Sequence, residues 1–578
     1  MRKTIFKTAV MLMSSAVFTA CVDDNYDLDN VNTDAEIKVN NLVVPVNLDK
    51  ITLDRVLDID ENDPDATVVT YKGDDNKTYF AIRKTGSFNA EKVYIEKVNA
   101  RVAKVQFDPE VHIPVTGNVS SVDVPPITAV FSYENVSVDK SIELIEEFGL
   151  DSQNYLTLNI TISSSTPAIT NLQLSELSVK LPKGFDATYN GNSVSKEGIL
   201  YIGNVSGQNG KIEIPVTITT LNLRETYPET SGLANPDGYV DISGSVGIEK
   251  ATLSLSGVSG ISEINLKADF SMSSFTVASF SGKVNYQIDS PAIQPVNLDD
   301  LPDFLTGEDT DIILYNPQIY LSINNGAGSY GVMGQSGLRI NPWRENSDSG
   351  SLYLDSFQIG ENNPSTMTYN IVMAPYPGNL PASVASQFPY LNQVVFSDLQ
   401  YLLSGKGLPK EISFELVDPA IKGETLDFPL GTYLDFEGGY TFFTPLQFKS
   451  GSIIQYVKDE TDWFDGDVDK MHISMLELDA VASTNLPFDV TLNAYPYIKD
   501  YSTDIVTLDR TNPAHTIIPA NANSKEIKLN FEKEIIGLDG IYFEAIIRVQ
   551  DEEALNEDQY IELDHIRAKV TGSYITKF

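Results

Sequence analysis

"YLTLNITIS", residues 155–163, decides the fold class. Leu156, Leu158, Ile160 and Ile162 fall on one side of an extended chain, and Thr157, Asn159 and Thr161 fall on the other. A strand turns successive side chains to opposite faces, so this alternation describes a strand with one face against a core and one in water. A helix would need apolar residues three and four apart. "KIEIPVTIT" repeats the pattern with Ile212, Ile214, Val216 and Ile218. So do "VDISGSVGI" at 240–248, "ATLSLSGV" at 251–258, "ISFELV" at 412–417 and "FDVTLNAY" at 488–495. Turn-forming clusters such as "YNGNS" and "GQNGK" punctuate them. One-sided strands joined by tight turns build antiparallel sheets that pack face to face. The expected fold is all-β: several antiparallel β-sandwich domains, immunoglobulin-like or Greek-key, in tandem with a few short helices.

Helix signals are few. "VDKSIELIEEFG" (138–149) has Asp139 as a cap, apolar Ile142, Leu144, Ile145 and Phe148, and Gly149 as a stop, which predicts a helix. "LDDLPDFLTG" and "SDLQYLLSGKG" read as single turns or short helices on connections. For 578 residues, about one domain per 150 residues gives roughly four. The expected division is 36–138, 139–290, 291–480 and 481–578, after a leader at 1–20 and an acidic tether at 21–35. "KLPKGFDATY" and "GLPKEISFEL" look alike around Leu181 and Leu408, which fits either a repeated sandwich or a shared turn.

Charge excludes some partners. There are 80 acidic and 40 basic residues, a formal charge of −40. Removing residues 1–20 takes away Arg2, Lys3 and Lys7 and no acid, which brings the count to −43. Such a surface repels nucleic acid and anionic headgroups. A hydrophobic content of 42% is enough to fold.

The N-terminus supplies an address. Arg2, Lys3 and Lys7 precede an apolar run from Thr8 to Phe18, followed by small Thr19 and Ala20. That order is a bacterial secretion signal, and the run is shorter than the ~20 residues that span a bilayer. Phe18-Thr19-Ala20-Cys21 resembles a lipobox, with Phe where Leu is usual. The resemblance implies that Cys21, the one cysteine of the chain, is acylated and becomes the new N-terminus. Each buried acyl CH₂ contributes ~0.8 kcal/mol, so a multiply acylated cysteine is a lasting anchor. Asp23, Asp24, Asp27 and Asp29 follow directly and resemble the acidic export signal of Bacteroidota surface lipoproteins. The alternative reading of these aspartates is a solvated tether. With no second cysteine the mature chain forms no internal disulfide, so stability comes from burial.

"VDDNYDLDNVNTD", "VNLDDLPDFL" with "LYNPQIYLSI", and "EALNEDQYIELDHIRAKVTGSY" together resemble a broad set of Bacteroidota outer-membrane lipoproteins of poorly defined role. The resemblance implies a lipid-anchored, surface-exposed, all-β protein of the outer membrane and carries over no active site. Three functions fit. The first is a non-enzymatic lipoprotein acting as a structural or accessory component of an outer-membrane assembly, docked on a β-barrel protein. The second is an adhesin, fimbrial-type or glycan-binding, for which processing near Arg55 would be a sign. The third is a hydrolase with an unrecognised site.

No motif names a reaction, and no cofactor is expected. His112, His472, His515 and His565 are widely spaced and form no metal-ligand pair. "NGAGSYGVMGQSG" (325–337) lacks the Lys-Ser/Thr of a phosphate loop and reads as a hairpin or flexible surface loop. Paired carboxylates of a glycosidase are too numerous here to choose among. Two acidic loops stand out: Asp58, Asp60, Asn62, Asp63 and Asp65, and Asp462, Asp465, Asp467 and Asp469. Calcium needs six to eight oxygens on a bent loop; the first loop lacks the turn glycine and the second a terminal Glu. Solvated turns are expected for both. Of the two tryptophans, Trp463 sits in the second loop, as an exposed platform or a core anchor, and Trp343 is placed to cap a sandwich end. Neither loop has a full ligand set, so adding a chelator is expected to leave the melting temperature unchanged. A calcium site filled at a hundred times its Kd adds about 2.7 kcal/mol, so a fall of several degrees would contradict this reading.

Overall fold

A computed structural model of the chain describes residues 34–46, 51–53, 57, 66–107, 110–117, 119–307, 309–344, 350–360, 368–461, 471–500, 503 and 505–577. Strands make up most of these residues, as the alternation requires. Helical pieces are single turns such as Leu223–Thr226, Asp303–Thr306 and Ala382–Ala385. "LDDLPDFLTG" and "SDLQYLLSGKG" each contain one turn, Asp303–Thr306 and the 3-10 turn Ser397–Tyr401.

The chain forms two compact units. One comprises Thr52–Ile454 with Arg548–Gln559; the other comprises the described residues as far as Ile51 with Gln455–Ile547 and Tyr560–Phe578. In the first, a long sheet has Leu156–Ser164 between Lys211–Asn222 and Glu263–Met272, antiparallel to both. Leu156, Leu158 and Ile160 are fully buried and Ile162 nearly so. Phe275–Gln287 belongs to the same sheet. A second sheet runs Ile199–Gln208, Asn171–Lys180, Tyr239–Ser254, Ile127–Ser137, Lys104–Phe107. Its Phe131 and Tyr133 meet Phe185 and Phe275 of the first sheet, with ring centroids 5.9 and 5.0 Å apart. The Tyr133 hydroxyl donates to the Ser273 carbonyl at 2.7 Å, so its polar tip is satisfied inside the core. Two sheets with aromatic rings interleaved between them are the expected sandwich. A third sheet runs Asn392–Val395, Thr368–Ala374, Gln318–Asn325, Phe436–Pro445, Thr78–Asn89, Val68–Lys72, and its first two strands are parallel.

In the second unit Asp34–Val46 lies antiparallel to Tyr560–Lys577, from Asp34 opposite Lys577 to Val46 opposite Ile566. Met471–Thr484 pairs with the other edge of Tyr560–Lys577, and Lys525–Phe531 follows it. Lys569 lies 2.7 Å from Glu477, and Lys528 lies 3.5 Å from Asp479. Burial alone would push the Asp479 carboxyl up; the Lys569 hydrogen bond and both lysine charges outweigh it and hold the group below the usual range.

Three expectations are corrected. The strand pairing does not follow a tandem order split at 138, 290 and 480. Ile127–Ser137 pairs with Tyr239–Ser254, Phe275–Gln287 with Glu411–Pro429, and Met471–Thr484 with Tyr560–Lys577. "NGAGSYGVMGQSG" is neither a hairpin nor an open loop: Asn325–Gly328 is buried, and Met333–Trp343 continues as a strand of a different sheet from Gln318–Asn325. Asn325, fully buried, holds the turn by donating to the Val332 carbonyl at 3.2 Å and accepting from the Ala327 N–H at 3.1 Å. The third is the helix at 138–149, which is a strand, Ile142–Leu150. Its ladder with Phe275–Gln287 shifts register between Ile142 and Leu144 and again between Ile145 and Glu147. Each bulge adds one residue, so Ile142, Ile145 and Phe148 come inward three apart and imitate a helical face. Asp139 caps a turn instead, accepting from the Ser141 N–H at 2.8 Å.

Gly282 opposes these bulges at φ 152°, where a Cβ would lie 2.0 Å from the Leu144 carbonyl oxygen. Gly282→Ala is expected to destabilise by roughly 1–3 kcal/mol. A Cβ on Gly350 meets nothing within 4 Å, and Gly350→Ala should stay within about 0.5 kcal/mol of wild type. Urea unfolding midpoints compare the two; equal midpoints would contradict the bulged ladder.

Candidate functional site

The sites named from sequence separate into those the structure describes and those it does not. Cys21, Asp23, Asp24, Asp27 and Asp29, the acidic loops at 58–65 and 462–469, and Trp463 lie outside the described residues. The four histidines stay apart. His112 is 3.1 Å from Glu263 and 2.6 Å from the Asn265 side chain, and His472 is 3.7 Å from Glu534. His515 and His565 are exposed. Among the described residues no three His, Cys, Asp or Glu side chains are grouped to hold a metal. Trp343 ends its strand half exposed, opposite Glu411.

Two concavities in the first unit are small. One of about 140 Å³ is lined by Val69, Tyr71, Lys72, Arg83, Ser383 and Phe443, among others. Another of about 210 Å³ is lined by Glu91 and Tyr286–Asp289. Small-molecule sites commonly hold ~300–1,000 Å³.

A polar and aromatic grouping lies on a sheet face of the second unit. Val490–Asp500 is flanked by Leu538–Arg548 on one edge and by Ala514–Ile518 and Ile505–Leu508 on the other. Val490, Leu492 and Ala494 point into the core, so Asn493, Tyr495 and Tyr497 point out. Register sets Asn493 opposite Glu544 and Tyr495 opposite Tyr542. Glu544 is 7% exposed. It accepts from the Gln455 amide at 2.6 Å and from the Asn493 amide at 2.7 Å. The Tyr495 phenol lies near enough to feel its charge. A buried carboxylate is costly unless its oxygens are satisfied, and here two neutral amides do so, one on each oxygen.

Pro496 shapes the outer edge of this face. It has no N–H, so the ladder cannot continue there. Ala514–Ile518 pairs only as far as Ala494, and Ile505–Leu508 begins opposite Tyr497. In the gap the Pro496 carbonyl accepts from the Asp509 N–H at 2.9 Å. The Asp509 carboxylate then accepts from the Thr511 N–H at 2.9 Å and its hydroxyl at 2.7 Å. Buried Asn512 donates to the Lys533 carbonyl and accepts from its N–H, both at 3.1 Å. Arg510, between these pins, has its guanidinium 5.4 Å from the Tyr495 ring centre and 5.6 Å from that of Tyr542, within cation–π range. Tyr495 and Tyr542 are 6.1 Å apart at 53°, and Tyr497 and Tyr542 6.4 Å apart at 83°. Alternation in "FDVTLNAY" already set Asn493 and Tyr495 on one face. The pairing with Tyr542 and Glu544 has no local signal.

No family model matches the chain and no curated protein matches it. Solved structures give distant overlays. A protein of Parabacteroides distasonis, described only by inference as secreted, is 17% identical over 51% of this chain and 89% of its own, with a TM-score of 0.33. A structure of infectious bursal disease virus, Gx strain, is 10% identical over 89% of this chain and 82% of its own, with a TM-score of 0.13. At those scores neither overlay establishes a shared architecture.

The face makes an electrostatic prediction. Burial first, then the Glu544 charge, raise the Tyr495 phenol above its ordinary value, while Arg510 pulls it down. Glu544→Gln should therefore let Tyr495 ionise at lower pH, and Arg510→Gln at higher pH. An alkaline NMR titration of ring-labelled tyrosine, assigned with Tyr495→Phe, reads both shifts. Shifts of the same sign in the two variants would contradict the arrangement.

Proposed function

We propose that the chain is a lipid-anchored, non-enzymatic protein on the outer face of a bacterial outer membrane, serving as a structural or accessory part of a membrane assembly built on a β-barrel protein. The supporting observation is the way the chain leaves its N-terminal address. The first strand, Asp34–Val46, is laid along Tyr560–Lys577, so the chain soon after Cys21 is committed to folded structure. Fully extended, the segment from Cys21 to Asp34 reaches about 45 Å, which keeps an acylated Cys21 and the folded protein close together. Among the described residues no helix is long and apolar enough to cross a membrane. An acyl group on Cys21 would therefore be the attachment, and Asp23, Asp24, Asp27 and Asp29 the export signal. A second reading, a glycan-binding adhesin, is favoured by the tyrosine–arginine face around Tyr495.

Cell fractionation tests the anchor. Cys21→Ala should fold but become soluble, because no acyl chain holds it. A variant that still pelleted with membranes after salt and carbonate washing would contradict acylation. Asp23→Ala with Asp24→Ala should stay acylated yet be protected from protease added to intact cells, whereas wild type is digested. Protection of wild type would overturn surface exposure, and equal digestion would remove these two aspartates from the signal. Crosslinking on intact cells should then capture a β-barrel protein with wild type; capture of none would contradict the assembly.

A further inference from the structure

We infer that Arg510, Tyr495 and Tyr542 form a binding site for an oligosaccharide that carries a single carboxylate. Each oxygen of Glu544 accepts from one amide, that of Gln455 or Asn493, and Asp509 Oδ1 accepts from Thr511. Arg510 is exposed and makes no hydrogen bond or ion pair among the described residues, while two tyrosine rings and a pinned loop fix its place. The site thus presents N–H donors, and a ligand must bring acceptors. A planar guanidinium fork matches a carboxylate with two parallel hydrogen bonds, and its loss of freedom has already been met by the stacking.

The surroundings select among carboxylates. Tyr495 and Tyr542 are half-buried and place ring surface beside the fork. A sugar acid supplies the complement, with a carboxylate for the fork and C–H faces for the rings. An acidic peptide lacks that face. Its further charges would meet a chain of formal charge −40 with one unpaired cation at this point. One carboxylate on an otherwise neutral saccharide fits both features.

Calorimetry on the full chain tests this with sialyllactose, lactose and triglutamate as probes. Sialyllactose should bind roughly ten- to a hundred-fold more tightly than lactose, the range of a charge-assisted hydrogen bond, and more weakly as salt rises. Arg510→Gln should bring sialyllactose down to the level of lactose. Arg510→Lys, which keeps the charge and loses the fork, should fall between, and it preserves the test if the Gln variant misfolds. Absence of sialyllactose binding, equal affinity for the two sugars, or an undiminished Lys variant would overturn the inference. Tighter binding of triglutamate would do so in favour of an acidic peptide. The readout is independent of acylation, so it stands or falls apart from the anchoring reading.

Discussion

Strand register carries this structure. Its one cysteine is Cys21, ahead of every described strand, so no disulfide ties the folded part together. Cohesion comes from side chains that alternate into shared cores across antiparallel ladders. A slip of one residue would turn each inward row to water. Leu156, Leu158 and Ile160 are fully buried, and Ile218, Val216 and Ile214 stand opposite them in matching phase. Burying each such side chain is worth about 1.5–3 kcal/mol, similar to the backbone entropy lost in ordering a residue or two, so no strand is stable alone.

The strands were legible wherever the phase is unbroken. "LTLNITIS", "KIEIPVTIT" and "VTLNAY" lie in strands whose inward residues are the ones that alternation assigns. Legibility fails where a bulge changes the phase. In Ile142–Leu150 the added residues space the buried positions three apart, and the sequence then imitates an amphipathic helix complete with cap and stop. It fails again for partners. Nothing local links Asp34–Val46 to Tyr560–Lys577, because pairing depends on complementary rows held at the far ends of the chain. The expected tandem order rested on proximity in sequence, and these sheets are completed by distant segments.

The face around Tyr495 shows both kinds of information at once. Its outward row, Asn493, Tyr495 and Tyr497, is a local consequence of alternation, and Pro496 is a local reason for the ladder to break. Glu544 and Tyr542 arrive through pairing with Leu538–Arg548, and Arg510 through a loop that fills the gap. A single proline thus turns a strand edge into the seat of a stacked arginine, beside the buried and hydrogen-bonded Glu544. The anchoring residues differ in kind: Cys21 and its aspartates are legible from chemistry alone, with no fold needed to read them.

Register across the most distant pair is the most direct test of this account. With Cys21→Ala as background, every introduced cysteine is the sole partner of the other. Val44→Cys with Ala568→Cys places two thiols directly opposite, where Cβ atoms of paired residues are about 4.5–5.5 Å apart. Val44→Cys with Lys569→Cys offsets them by one residue onto opposite faces. Mass spectrometry after mild oxidation should find an intramolecular disulfide in the first protein and free thiols in the second. A disulfide in the offset protein, or none in the opposed one, would contradict the ladder on which the structure rests.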